Sequence, residues 1–245
     1  MRYIISCFCI AICLLHTTPV RSQSVIPGAE IMEVAQLAET YRSAADLSFN
    51  VQIRYTDSVT VDSIVEQTTA IYKLHGGLFY TYIDSNEIIQ GNKYCIKVSH
   101  PDSVITIRNR QDYPDVLNMP VADTLYWSTF AESISVTAVS DSVRSIKIKF
   151  RPGAEYSSYE IKYNFIEYRI IEIKCYRPVS VAGGEDAELF PSGKALLKFT
   201  FSGYSTAPLA GTWFSEDKYI FLQAGQFTAR PPYTGYFIEN NIIQQ

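Results

Sequence analysis

The sequence predicts a mainly β protein of the α+β class, with one long N-terminal helix and an antiparallel sheet of about ten strands. Three observations carry this reading. Residues 64–107 alternate between short runs rich in Val, Ile, Thr and Tyr and turns of two or three residues. Runs joined so closely can pair only antiparallel, because a parallel return needs a crossover of about a dozen residues. The same two-residue alternation resumes over residues 134–176, and helical spacing is convincing in one long stretch, residues 29–45.

In the helical stretch, Ile31, Val34, Leu37, Ala38 and Tyr41 recur three and four apart, with Glu30, Glu33, Gln36, Glu39 and Arg42 off that stripe. Pro27-Gly28 marks its start, and Glu30 and Glu33 suit the positive end of the helix dipole. The polar face is acidic, which favours packing on its own sheet over lying on a membrane. Residues 47–55 form a strand with Leu47, Phe49, Val51, Ile53 and Tyr55 on one face. The meander follows as strands 64–75, 78–83, 87–90, 93–99 and 104–108, turned at Gly76-Gly77, Asp84-Ser85-Asn86, Gly91-Asn92 and Pro101-Asp102. Gly-Gly fits a two-residue hairpin because both positions accept a positive φ. In 93–99, Tyr94, Ile96 and Val98 oppose Lys93, Cys95 and Lys97, which predicts one covered and one wet face.

Residues 110–123 read as irregular, with Pro114 and Pro120. Asp123 then caps a short helix to about 131 that carries Leu125, Tyr126, Trp127 and Phe130. This segment fits a lid over an apolar cavity and equally a plug that fills the sheet's open side. Strands 134–140, 143–150, 159–164 and 168–176 come next, then a loop over 178–193 and a strand over 196–201. Trp213-Phe214 reads as a brief strand, 219–222 as another, and 236–238 as an edge strand.

The first 22 residues read as a Sec signal peptide: Arg2 is followed by apolar residues 3–15, and cleavage is expected after Ser22. A membrane span would need about 20 apolar residues, and Thr17, Thr18 and Arg21 interrupt this run. Neither Cys7 nor Cys13 sits in a convincing lipidation signal. A mature chain over 23–245 is expected, as one domain with a C-terminal extension from about 223, in the periplasm or secreted. Its net charge near −6 argues against nucleic acid, which calls for a basic face. Cys95 shares a face with Lys93 and Lys97, whereas Cys175 is in phase with Ile171 and Ile173, so two thiols are expected rather than a disulfide.

Catalytic signatures do not assemble, and no cofactor or metal is expected. His75 and His100 each end a strand at a turn, with no nucleophile paired to them. Ser215-Glu216-Asp217-Lys218 spells S-x-x-K without its companion motifs. Gly193-Lys194 is followed by Ala195, which does not complete a phosphate loop. Glu185, Asp186 and Glu188 lack the ligand spacing of a calcium loop. A carboxylate pair of the glycosidase kind is not singled out, which leaves an unrecognised hydrolase as one alternative.

The order of elements resembles the periplasmic lipoprotein-carrier (LolA/LolB-like) fold. It runs from the helix through the strand opening at Leu47-Ser48-Phe49, the meander and the aromatic segment to the paired strands ending near Trp213-Phe214. The segment 83–90 is also similar to uncharacterised exported Bacteroidetes proteins. The resemblance implies a curved, half-open barrel with helices across its mouth and an apolar cavity for acyl chains. It implies a non-enzymatic envelope protein whose partner is a lipid or a lipoprotein acyl chain. The expected lining is Ile96, Val98, Ile148, Phe150, Ile161, Leu197 and Phe199, with Trp127 and Phe130 closing the mouth. Two further alternatives remain open. The same residues would form a filled core, or the protein would bind an envelope partner through a strand edge or its aromatic tail.

Overall fold

Alternating strands need a helix or a second layer to cover their apolar face, and here helix α1 (Gly28–Arg42) supplies it. A computed structural model describes residues 28–110, 130–179 and 188–242 of this chain. The signal peptide expected over 1–22, Trp127, and most of the aromatic helix expected over 123–131 lie outside the described residues.

Val34, Leu37 and Tyr41 form the buried stripe of α1. Behind the helix the chain builds twelve strands of one sheet. These are β1 (Leu47–Asp57), β2 (Ile64–His75), β3 (Leu78–Ile83), β4 (Asn86–Gln90), β5 (Tyr94–Ser99), β6 (Val104–Asn109), β7 (Ala131–Ala138), β8 (Val143–Phe150), β9 (Ser158–Asn164), β10 (Arg169–Pro178), β11 (Lys194–Ser205) and, after the small hairpin β12 (Ile220–Gln223) and β13 (Gln226–Ala229), the terminal β14 (Phe237–Asn241). The order across the sheet is β14-β6-β5-β4-β3-β2-β1-β11-β10-β9-β8-β7. All pairings are antiparallel except β14 on β6. The sheet curves but does not close into a barrel. Gly76 and Gly77 have φ of 52° and 83°, as the hairpin between β2 and β3 requires. Asp84 and Ser85 make the same kind of turn at φ of 46° and 58°.

Registers define two faces. On the helix-covered face, Ile53, Phe199, Ile173, Ile161, Ile146 and Val136 are direct cross-strand partners in one row from β1 to β7. The next row holds Tyr55, Leu197, Cys175, Tyr159, Ile148 and Ile134. Burying such a row stabilises by about 2 kcal/mol for each large apolar side chain. Glu33 pins the helix to this face: Arg144 of β8 donates to it at 2.7 Å, and the Tyr163 hydroxyl of β9 donates to the same oxygen.

The outer face departs from the expectation of a single wet side. Over β3–β6 it is apolar, with Tyr80, Ile89, Ile96 and Ile107 in one row. Residues 209–242 cover it, and Phe214, Tyr219, Ile220, Ala229 and Tyr233 pack there as a second buried cluster. Trp213-Phe214, expected as a strand, lies in a 3-10 turn (Gly211–Phe214). The expected edge strand at 236–238 is present as β14, and it runs parallel to β6.

Cys95 and Cys175 are buried thiols and form no disulfide. The geometry expected to separate them differs, because both lie in the cluster that α1 covers. Five strands stand between them. The pairing of β10 with β9 shifts between Ile170 and Glu172, and this turns Ile171 outward to 38% exposure while Ile170, Ile173 and Cys175 point inward. Burial pushes the Cys175 thiol up to about 12.

Candidate functional site

The helix-covered face gathers five of the residues expected to line a cavity. Ile148, Phe150 and Ile161 are buried in its core, and Leu197 and Phe199 are half-buried against that core. Ile53, the direct partner of Phe199, is half-buried beside them. Phe130 is described at the start of β7 and is 36% exposed. Ile96 and Val98 do not join this group. They point to the outer face, are fully buried, and pack beneath residues 209–242. The alternation in β5 placed them correctly on the face opposite Cys95. It did not say which face the helix would cover.

A groove of about 350 Å3 opens at the C-terminal end of α1, lined in part by Tyr41, Ala44, Asp46, Leu47, Tyr168 and Arg169. Tyr41 ties the groove to a three-part hydrogen-bond node. The Ile170 amide donates to the Tyr41 hydroxyl at 2.8 Å, and the Tyr204 hydroxyl donates to the Ile170 carbonyl at 2.7 Å. The two hydroxyls lie 2.6 Å apart, so Tyr41 donates to Tyr204 and every group is used. Burial pushes the Tyr41 hydroxyl up to about 12 and keeps it neutral. Phe49 stacks on Tyr72 at 5.1 Å and meets the edge of Tyr41 at 5.7 Å, which extends the apolar surface from groove to sheet. On the rim, Asp46 accepts from the Leu209 amide at 3.0 Å and lies 2.9 Å from His75 Nδ1. The Leu209 amide first, then the His75 ring, holds the Asp46 carboxyl below its ordinary range. These polar groups satisfy one another. The arrangement offers an apolar surface with a polar rim.

The outer face holds a second polar cluster. Glu87 is 7% exposed. Its carboxylate accepts from the Tyr219 hydroxyl at 2.6 Å and Lys218 Nζ at 3.1 Å, and its other oxygen lies 3.0 Å from His100 Nε2. His100 is therefore not a plain turn histidine, and its other nitrogen lies 3.0 Å from the Tyr236 hydroxyl. Burial opposes ionisation of Glu87, but Tyr219, Lys218 and His100 together outweigh it and hold the carboxyl below its ordinary range. The chance-like Ser215–Lys218 spelling supplies two of the ties between tail and sheet. Besides Lys218 on Glu87, Glu216 accepts from the Lys93 and Tyr94 amides at 2.6 and 2.7 Å. Among the described residues, no group of three or more His, Cys, Asp or Glu could hold a metal ion, and no helix is long and apolar enough to cross a membrane.

No family model matches this chain, and no curated protein matches it. Solved structures do match. An uncharacterized conserved protein from Thermus thermophilus aligns with 86% of this chain and 98% of its own, at 11% identity and a TM-score of 0.47. A LolA superfamily protein from Nitrosomonas europaea aligns with 75% and 98%, at 12% identity and a TM-score of 0.33. LprF from Mycobacterium bovis aligns with 76% and 96%, at 8% identity and a TM-score of 0.37. Among the described residues this chain has one helix and a large curved antiparallel sheet that does not close into a barrel.

Proposed function

We propose that this chain is an exported, non-enzymatic binding protein of the cell envelope that holds an acyl chain or a comparable apolar group on the helix-covered face of its sheet. The observation that carries the reading is the pair of apolar rows running from β1 to β7, with Ile53, Leu197 and Phe199 only half-buried among the described residues. A ligand there gains roughly 25 cal/mol for each Å2 of apolar surface it covers. Ile148, Phe150 and Ile161 would form the floor, with Phe130 at the mouth. The test is titration of the purified chain with a fluorescent fatty-acid analogue, alongside native mass spectrometry for co-purified lipid. Saturable binding is expected, weakened about tenfold or more by Phe199→Asp, since a carboxylate facing the acyl chain is left desolvated. Absence of both lipid and probe binding overturns the reading.

A second reading has its own observation. Strand β7 ends the sheet among the described residues, and residues 133–138 carry neither Pro nor Lys to blunt that edge. It would accept an extended segment of an envelope protein as a further strand. Val136→Pro would abolish such capture and leave fatty-acid binding in place.

A further inference from the structure

The outer face of β1 and β8–β11 carries an arrangement of charge that neither the fold nor the binding face requires. Three adjacent cross-strand rows place Lys147, Lys149, Lys162, Lys174, Lys198 and Arg54 there against two carboxylates, Glu160 and Glu172. Each cation sits between two inward-pointing residues, as Lys174 does between Ile173 and Cys175, so all six point away from the core. That is an excess of four positive charges in a chain of formal charge −4. Within one row, Lys174, Lys198 and Arg54 are direct partners on three neighbouring strands. Like charges directly opposite destabilise a sheet. Glu172 relieves part of this, with Lys198, Lys174 and Lys162 at 2.7, 3.1 and 3.6 Å. It cannot neutralise them all.

We propose that this lysine-rich half of the outer face docks on a membrane surface that carries anionic lipid. Five of the six cations are Lys, a flexible point charge suited to a diffuse layer of headgroups. Specific, bidentate recognition of a carboxylate on a protein partner favours Arg. The patch crosses five neighbouring strands, roughly 19 Å at ordinary strand spacing, which is broad for a peptide and natural for a lipid surface. The face is opposite the apolar trough, so docking leaves that trough open, and the inference stands apart from what the trough holds.

The test is sedimentation of the full chain with vesicles of phosphatidylcholine alone and of phosphatidylcholine with phosphatidylglycerol. Binding to the anionic vesicles only is expected, weakened about tenfold or more by raising salt from low to physiological levels. The double variant Lys147→Glu, Lys149→Glu leaves the Glu172 cluster intact and should lose most of this binding while its circular dichroism and fatty-acid titration stay unchanged. Lys97→Glu, an exposed lysine on the opposite face of β5, serves as the control and should bind as the parent does. Equal binding to both vesicle types, binding to neither, or full retention in the double variant overturns the proposal. Capture of polyglutamate in preference to anionic vesicles also overturns it and points to an acidic protein instead.

Discussion

Over β3–β6 the outward residues Tyr80, Ile89, Ile96 and Ile107 make an apolar row that the last part of the chain covers. Over β8–β11 the outward residues of one row are Lys147, Glu160, Lys174 and Lys198, and the Lys147 side chain is 59% exposed. One sheet therefore has two kinds of outer face. The backbone is alike in both halves, so the difference comes from what each second residue offers to a covering layer. Where those residues are apolar, 209–242 must lie on them. Where they are charged, water or a charged surface does.

The sharpest way to break this contrast is to exchange the residue types. Ile96→Lys buries an uncompensated ammonium and should cost more than about 4 kcal/mol, read as loss of the cooperative urea transition. Ile96→Ala should cost about 3 kcal/mol by leaving a cavity. Glu87→Gln keeps the shape but removes the charge that Lys218 and Tyr219 face. It should cost about 2 kcal/mol and make the segment around Trp213 more open to protease.

Acid sharpens the comparison. The Glu87 carboxyl is held below its ordinary range in the folded chain, so its contribution is fully present above the ordinary carboxylate pKa and is lost as pH falls through the lower, folded value. Trp213 packs 5.0 Å from Tyr80 and should report release of the tail below about pH 4 as a shift in its emission. The Glu87→Gln variant should lack this step. The smallest effect belongs to the open half: Lys149→Ser should change stability by less than about 0.5 kcal/mol in the same urea measurement.

Much of the fold was legible because alternation is a local property. The bounds of β2 (Ile64–His75), β3 (Leu78–Ile83) and β8 (Val143–Phe150) fall where the alternation and turn residues put them. Long-range features left weaker marks. Ile96 and Val98 were correctly read as facing together, but their cover comes from residues far along the chain, and nothing local in β5 names it. The bulge that turns Ile171 out depends on the β9 register and not on the isoleucines themselves. Glu33 read as one more polar residue off the helical stripe, although it bonds Arg144 and Tyr163. Glu87 opens the short run 87–90, and nothing in that run marks the cluster it forms with Tyr219, Lys218 and His100. The Tyr41–Tyr204 pair spans 163 positions and carries no spacing signal at all. For the candidate face, Leu197, Phe199, Ile148, Phe150 and Ile161 could be found from strand phase. The polar rim at Asp46 could not, because one of its partners is a backbone amide at Leu209.

Strand β14 has a consequence for how the molecule is made. Thr106 of β6 donates to Glu239 of β14 at 3.0 Å across 133 positions of sequence. Synthesis runs from the amino end, so the edge of Val104–Asn109 that faces away from β5 must wait with its hydrogen-bonding groups unmatched until Phe237–Asn241 emerges. A nascent chain, or one clipped ahead of Phe237, presents that ribbon to any neighbour able to zip onto it. Molecules that carry Phe237–Asn241 seal the gap themselves; those that lack it should clump.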